Sequence, residues 1–191
     1  MIFAVAFLTA ATASAIKTDT HPIRIALLAS PDRYADRRDA QASDQVRDHL
    51  QAELRDLGYD VVITSERLTD LGRDDRPRAD YYVDVFGPGG GGYPVGGVGV
   101  QVGRNAAVDL AVVVNHVAAS VNVYDGRTLD LLHTADLHKK STTIAPAAIG
   151  FGGRAFWTFI AVPFVEWAQY RSGIRAVARQ AAREIDEAVR R

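Results

Sequence analysis

No cysteine occurs anywhere in the 191 residues. Disulfides, thiolate zinc sites and cysteine nucleophiles are excluded together. For the chain as written, so is the lipid-modified cysteine of a bacterial lipoprotein. Lysine is almost missing as well: Lys17, Lys139 and Lys140 are the only ones among 22 basic residues. Such an arginine bias is what a GC-rich genome produces, and it does not point to RNA. The net charge of −1 supplies no global field to draw in a polyanion, so no nucleic-acid partner is expected. There is no internal repeat.

Catalytic and cofactor motifs are missing too. The glycines at 87–99 are not followed by the Lys-Ser/Thr of a phosphate loop. They lie between two β-prone runs, so no helix dipole stands behind their amides. No HxH or HExxH spacing occurs. His133 and His138 flank Asp136, but their odd separation sends them to opposite faces of a strand. No GxSxG is present, and no serine has a base and an acid placed by local pattern. Asp80, Asp84 and Asp109 border strands, where solvation or a salt bridge is the default. No catalytic residue, metal ligand or cofactor is assigned.

What is present begins with an uncharged block, Met1–Ala15. Ile2–Leu8 form an apolar run, and Ala13-Ser14-Ala15 has the small–x–small form that signal peptidase accepts. The block is too short to span a bilayer of about 30 Å, which takes roughly 20 apolar residues. No basic residue precedes it. Residues 1–15 are therefore expected to be a signal peptide, and 16–191 a single α/β domain in the periplasm. A core is affordable, because 48% of residues are hydrophobic.

The expected fold is α/β in the α+β sense: one mixed, mostly antiparallel sheet of about six strands that opens with a βαβ unit. Ile23–Leu28 is the first strand, and Asp32–Gln41 a polar loop. Ser43 is placed as the N-cap of a helix over 44–57, striped by Val46, Leu50, Leu54 and Leu57 and ended by Gly58. Val61–Ile63 is the second strand, followed by a short helix from Ser65 to Leu71. Ala79–Phe86 is the third. Gly87–Tyr93 reads as loop, passing into a strand at Val98–Val102. In Ala107–Tyr124 the apolar positions change from even to odd, which predicts a β-bulge near Asn115–His116. Asp125-Gly126 is a tight-turn signal, with Leu129–Leu137 as the returning strand. After Gly173, a C-terminal helix is striped by Ile174, Val177, Ala178, Ala181, Ile185, Ala188 and Val189. Helices are expected mainly on one face.

Two segments stand apart from this scheme. One is the Gly-rich stretch 87–103, expected as a mobile or partner-binding loop. The other is the apolar, aromatic stretch 144–170, in which Ile144–Val165 carries a single charge, Arg154. Within it, the plain reading of residues 155–170 is a core helix packed on the sheet. The functional reading is an interface, since Trp and Tyr favour boundaries where one end stays wet. The candidate interaction residues are Tyr93, Trp157, Phe159, Ile160, Phe164, Trp167 and Tyr170.

Several segments in order resemble bacterial envelope domains of the TolB N-terminal and CsgG type. They are the first strand IRIALLA, the helix end LGYDVV (Leu57–Val62), the strand ADYYV (Ala79–Val83), the hairpin VNVYDGRTLDLLHTADL and a terminal Ala- and Arg-rich helix. The stretches 87–103 and 144–170 depart from that pattern. The resemblance implies a non-enzymatic accessory or assembly role on the periplasmic side, often in an oligomer, and transfers no functional residue. The expected partner is an envelope protein or a second copy of the chain. The alternatives are a periplasmic enzyme or small-ligand-binding protein with a pocket between sheet and last helix, and a peripheral membrane protein held by residues 155–170.

Overall fold

The computed structural model describes residues 22–29, 37–71, 79–86, 90–102, 106–151, 154–156 and 161–191. The signal-peptide expectation, the loop at 87–89, and the candidates Trp157, Phe159 and Ile160 lie outside them. Among the described residues seven strands and two helices follow one another: β1 (Arg24–Leu27), α1 (Arg37–Asp56), β2 (Asp60–Ile63), β3 (Tyr81–Phe86), β4 (Gly90–Val102), β5 (Ala106–Asp125), β6 (Leu131–Phe151), β7 (Arg154–Phe156) and α2 (Ala161–Val189). They form one mixed sheet in the order β2-β1-β3-β5-β6-β7, with β4 also paired to β5. The fold class is the expected one. Strand β1 runs parallel to β2 and β3, and every later pairing is antiparallel.

Helix α1 forms because Val46, Leu50 and Leu54 recur once per turn and all three are buried. It starts earlier than expected: residues 37–41 are helical, not loop. Ser43 is therefore no N-cap but a buried residue on the core side. Arg, Ala and Gln upstream of it are good helix formers, so nothing stops the helix from extending. Gly58 ends it at φ +94°. Gly58 N–H donates to Arg55 O at 2.9 Å and Tyr59 N–H to Leu54 O at 3.2 Å, the paired bonds of a Schellman cap. The short helix expected at 65–71 is a turn, closed by Asp70 and Leu71 amides on Arg67 O.

Strands β5 and β6 contain 20 and 21 residues, so each extends about 65 Å. The bulge expected at Asn115–His116 is not there; pairing with β6 is unbroken from Leu110 to Val123, with shifts only at Asp109/Leu110 and Val123/Tyr124. Ala111, Val113, Asn115, Val117, Ala119, Val121 and Val123 are all buried, so odd positions face the core throughout. The even valines reflect a second apolar face, not a change of register. Residues 90–93 are strand rather than loop, paired with Val117–Val114. Glycine fits there for space: a Cβ on Gly92 would come within 2.9 Å of Glu166 Cγ on α2. Residues 144–151 complete β6, which extends well beyond the expected strand at Leu129–Leu137.

Both helices cover one face. Buried residues of α1 and α2, including Leu50, Leu54, Ile174, Val177, Ala181 and Ile185, share a cluster with Ile25, Val83, Val121 and Leu137 of the sheet. Helix α2 runs straight through Gly173, where a separate helix was expected to begin. At its far end Tyr59 donates its hydroxyl to Asp186 Oδ1 at 2.6 Å, tying the close of α1 to α2. Burial, and then the Asp186 carboxylate, raise the Tyr59 pKa. Between β5 and β6 the turn is longer than a two-residue hairpin. Asp125 Oδ1 accepts from the Arg127 and Thr128 amides, both at 2.8 Å, and Leu129 adopts φ +62°. Those amides hold the Asp125 carboxyl below its ordinary pKa.

Candidate interaction surface

The sheet face opposite the helices is built by even positions of β5 and their partners. Register places Tyr93 beside Val114, Val98 beside Leu110, and Ile144 beside Val112. All six share this face because the odd positions of β5 point to the helix layer. Tyr93 is 55% exposed, Val98 63% and Ile144 65%. Together they make an apolar strip across β4, β5 and β6, of the kind that marks a contact surface. Further along, the same face turns polar through Ser120, Asn122, Thr134, Asp136, His138 and Lys140. His116 and His138 stack at 6.5 Å between ring centroids.

The expected interaction residues do not form one surface. Tyr93 lies on the open sheet face. Trp167 and Tyr170 belong to α2, on the other side of the sheet. Trp167 is 53% exposed and lies under the Arg171 guanidinium, 4.7 Å from its ring centroid. That distance permits a cation–π contact. Tyr170 is half-buried against the core, as the plain reading of the stretch anticipated. Phe164 falls in the first turn of α2. Val98 and Ile144 are not among the candidates; Val98 carries a signal in the one apolar face of the alternating run Val98–Val102, and Ile144 has no such pattern around it.

His133 and His138 do face opposite ways. His133 meets Glu184 of α2 at 3.2 Å, whereas His138 is on the open face. Among the described residues no group of acids and histidines could hold a metal. The space between the sheet and α2, where a ligand pocket was an alternative, is filled by Val117, Ala119, Ile174 and Ala178. No helix among the described residues is long and apolar enough to cross a membrane.

Of the three acids bordering strands, Asp80 accepts from the Arg24 amide at 2.8 Å and Asp109 is exposed. Asp84 is different from both. It is 5% exposed, and its Oδ1 has no hydrogen-bond partner. Burial pushes its pKa up to about 6, only partly offset by the Val85 amide, and its charge helps burial raise the Tyr124 pKa. A carboxyl whose folded value exceeds its unfolded one favours the folded state most when protonated. That stability is complete below about pH 4 and is lost as pH rises through about 6. Asp84→Asn is therefore expected to match the parent near pH 4. At pH 7.5 it should be more stable by about 2–3 kcal/mol. Urea unfolding at both values checks this, and parallel stability–pH curves for the two proteins would refute it.

No family model matches the chain, and no curated protein matches it. Among solved structures it is similar to a minor lipoprotein from Acinetobacter baumannii, at 13% identity and TM-score 0.44, covering 85% of this chain and 91% of that one. It is also similar to the lipoprotein GNA1162 from Neisseria meningitidis, at 13% identity and TM-score 0.37, over 64% and 85% of the two chains. A PelC dodecamer from Paraburkholderia phytofirmans matches at 12% identity and TM-score 0.37, over 84% and 88%.

Proposed function

We propose that this protein is a non-enzymatic interaction or assembly module of the bacterial cell envelope, exported by cleavage after Ala15 and acting in the periplasm. The observation that carries the interaction reading is the exposed strip of Tyr93, Val98 and Ile144 on the sheet face that bears no helix. Apolar side chains gathered on an extended sheet gain free energy only when another surface covers them, at roughly 25 cal/mol per Å². The resemblance of the sequence to TolB N-terminal and CsgG-type domains supports the compartment and the assembly role. The partner is an envelope protein or a second copy of the chain.

Cell fractionation with cross-linking tests both halves. The protein should be recovered from the periplasm with Ile16 at its N-terminus. Tyr93→Ser combined with Ile144→Ser should lose the cross-linked partner, while unfolding stability stays within about 0.5 kcal/mol per exposed site. An intact N-terminus in the cytosol, or unchanged cross-links in the double variant, would sink the reading.

A second reading has its own observation. Trp167, Arg171, Arg175 and Arg179 line a groove of about 380 Å³ on α2, where Arg179 also pairs with Glu53 of α1 at 3.1 Å. A tryptophan beside a row of arginines suits an anionic lipid surface. Flotation with phosphatidylglycerol vesicles should then carry the parent and leave Trp167→Ala with Arg171→Ala behind. If the parent stays unbound, this reading is lost.

A further inference from the structure

Among the described residues, the outer edge of β6 is the longest stretch of strand without a paired neighbour. Among the described residues only β7 pairs with that edge, and only at Ile149–Phe151. From Leu131 to Ala148 it offers amides and carbonyls with no described strand beside them. Proteins usually blunt such an edge with charges, bulges or a covering element. Here Lys139 and Lys140 sit mid-strand with Asp136, and exposed Leu131, Leu132 and Ile144 lie toward the ends.

The order of these residues is self-complementary. If a second β6 lies antiparallel with His138 on the two-fold axis, residues whose numbers average 138 stand opposite each other. Asp136 then meets Lys140 of the other copy, and Lys140 meets Asp136. Thr134 meets Thr142, and Leu132 meets Ile144. Positions 134 to 144 with even numbers share the open face, as their pairing with even residues of β5 requires. Both charged pairs therefore lie on one face at the distance of directly opposed side chains. Asp136 accepts a hydrogen bond from Ser120 through Oδ1, which leaves its other oxygen for the lysine.

Resting on the interaction-module reading, we propose that the partner is a second copy of this chain, joined edge to edge through β6 into one continuous sheet. An isologous contact of this kind closes on itself and leaves no second β6 edge to propagate. Charge complementarity about a single residue favours a like strand over a peptide of unrelated sequence.

Because these 191 residues contain no cysteine, one substitution reports the axis cleanly. His138→Cys places two thiols opposite one another, within the Cα separation of about 4.4–6.8 Å that a disulfide spans. Thr134→Cys is equally exposed, but its two copies would stand about 27 Å apart along the ladder. Mild oxidation should give a reducible dimer from His138→Cys and leave Thr134→Cys monomeric. In sedimentation equilibrium the parent should be dimeric. Asp136→Lys and Lys140→Asp should each weaken the dimer by about tenfold or more, and their combination should restore it. A monomeric parent, equal cross-linking by both cysteines, or no recovery in the charge swap would each overturn the dimer. A monomer that still cross-links to an envelope protein would leave the module reading standing and remove this one alone.

Discussion

Gly126→Ala is expected to destabilise the protein by about 3 kcal/mol, a large part of the 5–15 kcal/mol typical of a folded domain. Gly126 follows Asp125 at the tip of β5, where the turn folds back against the chain entering β3. Its amide donates to Asp80 O at 2.8 Å. A Cβ at this position would overlap the Ala79 carbonyl oxygen and lie 2.6 Å from that of Asp80. Both obstacles are backbone. The Asp80 carbonyl is held in place by the Gly126 amide itself, and the Asp80 amide by Arg24 O at 2.9 Å. A flexible side chain could swing aside; this pair can retreat only by breaking those bonds. The control is Gly96→Ala on β4, where a Cβ meets nothing within 4 Å. That variant should stay within about 0.5 kcal/mol of the parent. Urea midpoints at constant m-value make the comparison. A Gly126→Ala protein as stable as Gly96→Ala would show that the turn can open without cost.

The second large effect lies where α2 crosses the sheet. Gly173 is a helix-interior glycine, and replacing one by alanine in an exposed helix gains about 1 kcal/mol. Here the sign should reverse. An added Cβ would come within 2.6 Å of Val117 Cγ2 and 3.3 Å of Val117 Cβ. Valine is stiff at χ1, and Val117 is buried between β5 and α2, so it has nowhere to turn. Gly173→Ala should lose about 2 kcal/mol from overpacking. In a Val117→Ala background the obstacle is gone, and the same substitution should be neutral or stabilising. The coupling from this double-mutant cycle should exceed about 1 kcal/mol. Additive effects would mean that α2 shifts on the sheet without penalty.

These two glycines show how far the sequence could be read. Asp125-Gly126 announces a turn by composition, and the turn is there. What makes the glycine indispensable is the return of Ala79 and Asp80 from more than forty residues earlier, which no local pattern records. Because glycine is a poor helix former, Gly173 marks a helix boundary in the sequence. It is instead the point of closest approach between α2 and β5. The same contrast holds at Asp84. Alternation placed it on the face opposite Val83 and Val85, correctly, but a strand border suggested solvent or a salt bridge. Burial on both faces of the sheet gave it neither.

Periodicity by itself determined the βαβ opening, the striped faces of both helices, the Schellman stop at Gly58 and the opposed directions of His133 and His138. These depend on repeats of 3.6 and 2 residues and on backbone preferences that neighbouring residues already express. Only the tertiary structure decided that the glycine-rich stretch from residue 90 is a strand, that β5 and β6 run as one long ladder without a central bulge, and that Tyr93 and Trp167 lie on different sides of the sheet. Strand pairing is a long-range interaction, and which edges remain unpaired is known only when every partner has been placed. The open edge of β6 and the apolar strip beside it are therefore properties of the assembled sheet, although the residues that form them were in view from the start.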